Sequence, residues 1–158
     1  MEVSKLKKQD IIIRSMTMDD YEEVFDMWQS ISGFGIRTWD DSREGIARFI
    51  ARNPGLSVVA LHEGQIVGSI LCGHDGRRGC LYHVCVKEAY RMLGIGQDMV
   101  ARCKEHLKAE GINKINLIAF KTNAVGNKFW QKLNWKFRED CNYYEENLNP
   151  ENVTNFIP

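Results

Sequence analysis

Between residues 81 and 109 the spacing of apolar positions changes once, and the change marks a strand running into a helix. Residues 81–86, Leu-Tyr-His-Val-Cys-Val, form a short apolar, β-branched run expected to be a strand. Residues 87–90 turn the chain. From there Ile95, Met99, Val100, Cys103 and Leu107 share one face of a helix reaching about Ala109. Upstream, residues 1–10 are polar and read as a loose lead-in, and residues 11–14 as a strand. Thr17 is placed to cap a helix with Asp19 and Asp20 in its first turn, and Tyr21, Val24, Phe25 and Trp28 follow at helical spacing. Gly33-Phe34-Gly35 interrupts it. Residues 40–42 offer a second cap before Ile46, Phe49 and Ile50, and Asn53-Pro54-Gly55 stops that helix. Residues 57–61 and 65–72 read as a hairpin about the turn 62–64, and residues 73–79 turn again into the strand 81–86. Downstream, residues 115–120 are expected to be a strand. Thr122 or Asn123 caps a helix to about Leu133, and residues 135–138 and 143–145 are expected as closing strands.

The predicted order is therefore β-α-α-β-β-β-α-β-α-β. It describes an α/β fold with a mixed sheet flanked by helices on both faces, in a single domain spanning residues 1–158. That length is enough to bury a real core. Lys plus Arg number 21, as do Asp plus Glu, so the formal net charge is zero. Nucleic-acid and membrane-surface proteins usually carry a basic excess, so neither kind of partner is expected. The longest early apolar run, Ile11-Ile12-Ile13, is far short of a secretory core. The five cysteines, Cys72, Cys80, Cys85, Cys103 and Cys141, form no C-x-x-C pair. An odd count without a signal reads as reduced thiols in the cytoplasm. No His, Cys or carboxylate spacing fits a metal template, so no metal is expected. A homodimer is left open.

The strand-to-helix junction carries the most specific chemistry. Gly94 and Gly96 stand at the mouth of the helix beside Arg91. Free N–H groups and the positive end of the helix dipole attract an anion there, and glycine lets it approach closely. A Walker loop is excluded because Gln97 and Asp98 follow Gly96, and the dinucleotide fingerprint because Met99 stands where its third glycine belongs. What remains, Arg91-Met92-Leu93-Gly94-Ile95-Gly96 after a strand and opening a helix, resembles the coenzyme A loop of the GNAT superfamily of acetyl-CoA-dependent N-acetyltransferases. Ile-x-Arg followed by Thr17-Met-Asp-Asp-Tyr resembles that superfamily's opening strand and helix. Asn123-x-x-Gly126-x-x-Phe129-Trp130-x-x-Leu133-Asn134-Trp135 resembles its late helix, and the element order matches. The turn Gly73-x-Asp75-Gly76-x-Arg78-Gly79 narrows the resemblance to the small bacterial YpeA-like branch.

The resemblance implies acetyl-CoA as co-substrate, with its pyrophosphate on residues 91–96 and its pantetheine along Val84, Cys85 and Val86 like an added strand. The strand after the central helix would splay away to leave the cleft. Asn123, Phe129 and Trp130 would complete the coenzyme site, and a backbone N–H near Val84 would hold the oxyanion. The carboxylate that relatives often carry near the start of the central strand is missing, since Cys80, Leu81 and Tyr82 stand there. His83 is the nearest titratable side chain and a candidate base; its alternative is a histidine hydrogen-bonded within the sheet. His74 and Asp75 are further candidates, with plain Asp-Gly turn chemistry as their alternative. Where relatives have a proton-donating tyrosine this chain has Trp130, whose indole N–H can donate a hydrogen bond but not a proton. Cys85 reads as a small buried hydrophobe rather than an acyl-carrying nucleophile. Phe34, Trp39, His74 and Arg77 are expected to line the acceptor surface. The acceptor implied is a small-molecule amine or a protein N-terminus or lysine, attacking directly in a ternary complex. A catalytically weak acyl-CoA-binding sensor or regulatory module is the alternative, because both customary acid and base positions are substituted.

Overall fold

A computed structural model describes residues 6–158. Strands β1 (Ile11–Ser15), β3 (Val58–His62), β4 (Gln65–His74), β5 (Gly79–Val86) and β6 (Ile115–Asn116) form one sheet in the spatial order β1-β3-β4-β5-β6. The neighbours are antiparallel except β5 and β6, which run parallel and make the sheet mixed. Two helices, α1 (Tyr21–Gln29) and α2 (Arg43–Arg52), cover one face; α3 (Ile95–Ala109) and α4 (Ala124–Lys132) cover the other.

Alternation along the strands, broken in β4 by a surplus residue at Val67 against β3, sorts the strand residues between two apolar layers. Val58, Ala60, Val67, Ile70, Cys72 and Leu81 pack against Ile95, Met99, Val100, Cys103 and Leu107 of α3. Val59, Ile66, Leu71 and Cys85 pack against Val24, Met27 and Trp28 of α1 and Ile46 of α2. Because helices lie on both faces, β4 is buried almost without break from Ile66 to Gly73, the continuous apolar run of a strand with no solvent side. Each large aliphatic side chain buried in these layers contributes about 1.5–3 kcal/mol. The indole of the fully buried Trp28 donates from Nε1 to Ser69 Oγ at 3.1 Å, so its polar edge is satisfied inside the core.

Several expectations are corrected. The lead-in of residues 1–10 ends in a 3-10 turn, Lys8–Asp10, rather than loose chain, and residues 1–5 of it lie outside the described residues. The first turn after Thr17 is also a 3-10 turn, Met18–Asp20, and α1 starts at Tyr21. Thr17 N donates to Asp20 Oδ2 at 2.9 Å, and Arg14 grips both Asp20 oxygens at 2.8 Å. The strand expected over residues 115–120 stops after two residues; the chain then leaves the sheet, and Phe120 packs edge-on against Phe156 at 5.5 Å between centroids.

Neither closing strand forms over residues 135–138 or 143–145. A Schellman motif redirects the chain instead. Asn134, at φ 62°, is the left-handed residue after α4; its N–H bonds Gln131 O and that of Trp135 bonds Trp130 O, each at 3.0 Å. The indoles of Trp130 and Trp135 pack at 4.7 Å across the motif. The last strand is β7 (Thr154–Phe156), and it pairs antiparallel with an unforeseen β2 (Gly35–Arg37) in a separate two-stranded sheet.

The α1–α2 connection is held from several sides. Ser42 Oγ accepts from Gly45 N at 3.1 Å as the cap of α2. Buried Asn152 accepts Trp39 N and Asp40 N at its Oδ1, at 3.0 and 3.4 Å, and donates from Nδ2 to Asp40 Oδ2 at 2.9 Å. A Cβ on Gly45 would stand 2.5 Å from the Asp40 carbonyl oxygen and nearer still to that of Trp39. Gly45→Ala must therefore move backbone, and is expected to cost about 2 kcal/mol, lowering Tm by roughly 6 °C in a thermal melt.

Candidate active site at the β5 bulge and the mouth of α3

Strand β5 carries one residue more than β4 can pair. Ser69 stands opposite Cys85 and Leu71 opposite Tyr82, so His83 and Val84 share the single position facing Ile70. The chain accommodates the surplus with His83 at φ 50°, a left-handed conformation in a β-bulge. The bulge sends two successive side chains to the α1–α2 face. Tyr82 meets Phe49 edge-on at 5.8 Å, and the His83 ring lies against Trp28 and Phe34, each at 4.7 Å between centroids. Val84 and Val86 turn to the α3 side and Cys85 returns to the α1 side. Residues 81–86 face β6 with an open edge, because β6 pairs β5 only at Gly79 and Cys80. The strand after the central helix thus parts from β5 after Asn116, as expected, and leaves the backbone of residues 81–86 unpaired by β6.

At the end of β5, Lys87 N bonds Val67 O at 2.8 Å and a 3-10 turn, Glu88–Tyr90, leads into residues 91–94. Arg91 donates from Nε to Val86 O at 3.0 Å, fixing its stem beside the strand end; among the described residues neither terminal nitrogen makes a hydrogen bond. Met92, at φ 65°, projects into solvent, 92% exposed. Gly94 caps α3 at φ 81°, a conformation glycine adopts without strain. It has no side-chain oxygen to occupy the first-turn N–H groups, which stay open to an anion. Gly96 serves the protein too: a Cβ there would meet the Phe129 ring at 3.2 Å, so its absence lets α4 close onto α3. Asn123 caps α4, accepting Gly126 N at 2.9 Å, and Phe129 packs edge-on against Trp130 at 4.8 Å. Arg91, Met92, Leu93, Gly94, Ile95, Gly96 and Phe129 are thus gathered at the end of β5, with Trp130 behind Phe129.

The other sequence candidates fall elsewhere. His74, Asp75 and Arg77 lie at the hairpin end of β4 and β5, about 13 Å along the strand from His83 at the usual rise. His74 Nε2 is 2.6 Å from Glu110 Oε2, and its Nδ1 accepts Gly76 N at 2.9 Å. Asp75 Oδ1 accepts Arg77 N and Arg78 N at 2.8 and 2.9 Å, and those bonds hold its carboxyl below the usual range. Both are engaged as turn chemistry, and the structure does not bring them to the bulge. Phe34 does reach it, on the His83 ring; Trp39 is half exposed on the connection beside it.

Two residues escaped the sequence reading. Asp41 Oδ1 lies 2.7 Å from His83 Nε2, and the carboxylate is almost wholly buried. Its sequence neighbourhood reads only as a helix cap. Lys8 Nζ is 3.0 Å from Asp98 Oδ1 in the first turn of α3, and 3.9 Å from where a Cβ of Gly94 would stand. It adds positive charge at the helix mouth from the segment expected to be lead-in. Tyr82, half exposed, has its phenol pushed up by burial and by the neighbouring Cys80, so it stays protonated. Among the described residues no group of three or more His, Cys, Asp or Glu side chains is arranged to hold a metal, and no helix is long and apolar enough to cross a membrane.

With this geometry in view, the profile described as "Acetyltransferase (GNAT) family" matches residues 16–135. An acetyltransferase of Sodalis glossinidius is 35% identical over 127 residues, which are 80% of this chain and 88% of the relative. The crystal structure of Ard1 from Thermoplasma volcanium superposes with TM-score 0.68 at 18% identity, covering 78% of this chain and 81% of that one. PaiA N-acetyltransferase from Thermoplasma acidophilum, solved with coenzyme A, superposes with TM-score 0.66 at 18% identity, covering 91% and 96%.

Burial pushes the Cys85 thiol up to about 11, and its Sγ lies 3.5 Å from Ser69 Oγ inside the core. Below that value the neutral thiol prevails, so at pH 8 about one molecule in a thousand carries the thiolate. Alkylation of the native protein at pH 8, mapped by mass spectrometry, is expected to label exposed Cys141 and to spare Cys85.

Proposed function

The chain belongs to the GNAT acetyltransferase family, and from that premise we propose that it moves the acetyl group of acetyl-CoA onto a primary amine, which attacks the thioester directly in a ternary complex. The observation that carries the reading is the open edge of β5, which runs past the bulge and ends at the anion-receptive mouth of α3. The pyrophosphate sits on the N–H groups at Ile95 and Gly96, with Arg91 beside it and Met92 and Leu93 as the rim of the loop. The pantetheine extends along Val84, Cys85 and Val86, between the open strand edge and the aromatic wall of Phe129 and Trp130. Asn123 caps the helix that carries this wall. The Thermoplasma acidophilum neighbour, solved with coenzyme A, supports the same ligand here.

In this reading the amine approaches from the α1–α2 side, where Phe34 and Trp39 flank the bulge. His83, as neutral imidazole, takes the proton that leaves the ammonium, so the free amine attacks the acetyl carbon. The tetrahedral oxygen is held by a backbone N–H near Val84. When the carbon–sulfur bond breaks, coenzyme A leaves as a thiolate and the second proton of the attacking nitrogen passes to solvent or to that thiolate; an ordinary thiol ionises near 8.5, so this needs no strong acid. Trp130 shapes the thioester site and offers at most an N–H hydrogen bond. Cys85 is unsuited to an acyl-enzyme step, because its thiol is neutral and enclosed.

The test follows free thiol release from acetyl-CoA with a panel of small amines, peptide N-termini and lysine peptides. Amine-dependent release is expected. Tight acetyl-CoA binding with no turnover across the panel would make the protein a sensor instead. Gly94→Val places a β-branched side chain at φ 81°, and is expected to weaken coenzyme A at least about tenfold in calorimetry, with a cooperative melt lowered by roughly 5 °C from the backbone strain. An imidazole base must be neutral, so kcat/KM rises with pH through its titration. His83→Ala should lower kcat/KM by about 100-fold and remove that limb. The amine's own deprotonation adds a second limb, which shifts with the basicity of the acceptor and is thereby told apart.

A further inference from the structure

We infer that Asp41 is a positioning residue for this reaction: it fixes His83 in the tautomer that carries its proton on Nε2 and leaves Nδ1 free to accept one. The inference rests on His83 being the base. A carboxylate oxygen can only accept, so the 2.7 Å contact between Asp41 Oδ1 and His83 Nε2 requires the ring to donate from Nε2. Among the described residues the buried side-chain atom left without a hydrogen bond is His106 Nδ1. His83 Nδ1 has no hydrogen-bond partner among the described residues and is not among the enclosed atoms, so it reaches solvent. A neutral imidazole with Nε2–H committed inward has its lone pair on the outward nitrogen, where an ammonium or a bridging water can deliver a proton. The imidazolium so formed gains from the buried carboxylate behind it.

Asp41 is itself held to this task. Its Oδ2 accepts Arg37 N at 2.7 Å, its N–H bonds Arg37 O at 3.2 Å, and its carbonyl accepts the Tyr21 hydroxyl at 2.8 Å. The carboxylate therefore cannot rotate without breaking a backbone bond. The ring is held too, packed against the stacked pair of Trp28 and Phe34 and aimed by the bulge. Few other ionisable groups face the pair. The Arg37 guanidinium turns to Asp40 at 3.0 Å, Tyr82 precedes His83 in the strand, and Cys85 lies behind, against Ser69. Asp41 is the carboxylate at hydrogen-bond distance.

Asp41→Asn separates charge and tautomer from shape. Asparagine can still accept Arg37 N with its oxygen, but it then presents an NH2 to Nε2, which forces the proton onto Nδ1 and removes the acceptor. The wild-type ring, observed by nitrogen-15 NMR in its neutral form, is expected to show Nε2 protonated and Nδ1 bare, and the variant the reverse. The variant's kcat is expected to fall about 100-fold, with KM for acetyl-CoA and Tm nearly unchanged. The double variant with His83→Ala is expected to be no slower than His83→Ala alone, because the two residues act as one unit. Nδ1–H in the neutral wild-type ring would overturn the proposal without recourse to any variant, as would an Asp41→Asn enzyme at full rate or a double variant showing additive losses. Full activity of His83→Ala strikes instead at the base reading, so the two failures are distinguishable.

Discussion

Opposite Ile70 the sheet has one place and β5 supplies two residues, His83 and Val84. A regular ladder cannot take both, so one residue leaves the extended conformation and the strand bends at that point. Three features of the site depend on this surplus. It turns His83 onto Trp28 and Phe34 rather than into the alternation, within reach of Asp41. It disturbs the backbone beside the stretch where β6 has already left β5. It restores the inside–outside register for Cys85 and Val86, so the strand still ends with its apolar residues in the two layers and delivers Arg91 and Gly94 to the helix mouth. Histidine tolerates the left-handed conformation better than the β-branched valine beside it, which is a physical reason for the order of the two residues.

Elements held by their own periodicity were legible in the sequence. Helix α3 begins at Ile95 and ends at Ala109 as its apolar face requires, and the hairpin of β3 and β4 is anticipated to within two residues. The anion-receptive loop was legible because its chemistry is local: a strand end, two glycines, an arginine and a helix start lie within a dozen residues. What could not be read lies in pairings between distant segments. Asp41 and His83 are 42 positions apart, and each looks ordinary alone, one as a helix cap and the other as a strand residue. The bulge was invisible because period-two reasoning assumes an unbroken ladder. Strand β7 is Thr-Asn-Phe, with neither alternation nor an apolar run, and it exists because β2 offers backbone partners. The expected closing strands had suitable residue types, but the left-handed Asn134 had already turned the chain back at the end of α4.

The positive charge at the mouth of α3 has a similar divided origin. Arg91 is part of the recognisable loop, whereas Lys8 arrives from the start of the chain and is paired with Asp98. Asp98 places a negative charge in a first turn that would otherwise favour an incoming anion without opposition. The exposed Lys8–Asp98 pair adds little to stability, yet it neutralises that carboxylate where a phosphate would approach.

The small sheet of β2 and β7 has a consequence in time. Phe34, which lies on the His83 ring, is tied through its backbone to Ile157, and Arg37 is bonded to Thr154 across a separation of 117 residues. A ribosome adding about ten residues per second needs roughly twelve seconds to travel that distance. Within that interval β3 to β6 and helices α2 to α4 are synthesised and can begin to pack, while the β2 segment waits without its partner. The nascent chain can therefore assemble much of its core before β2 finds its strand partner in residues 154–156.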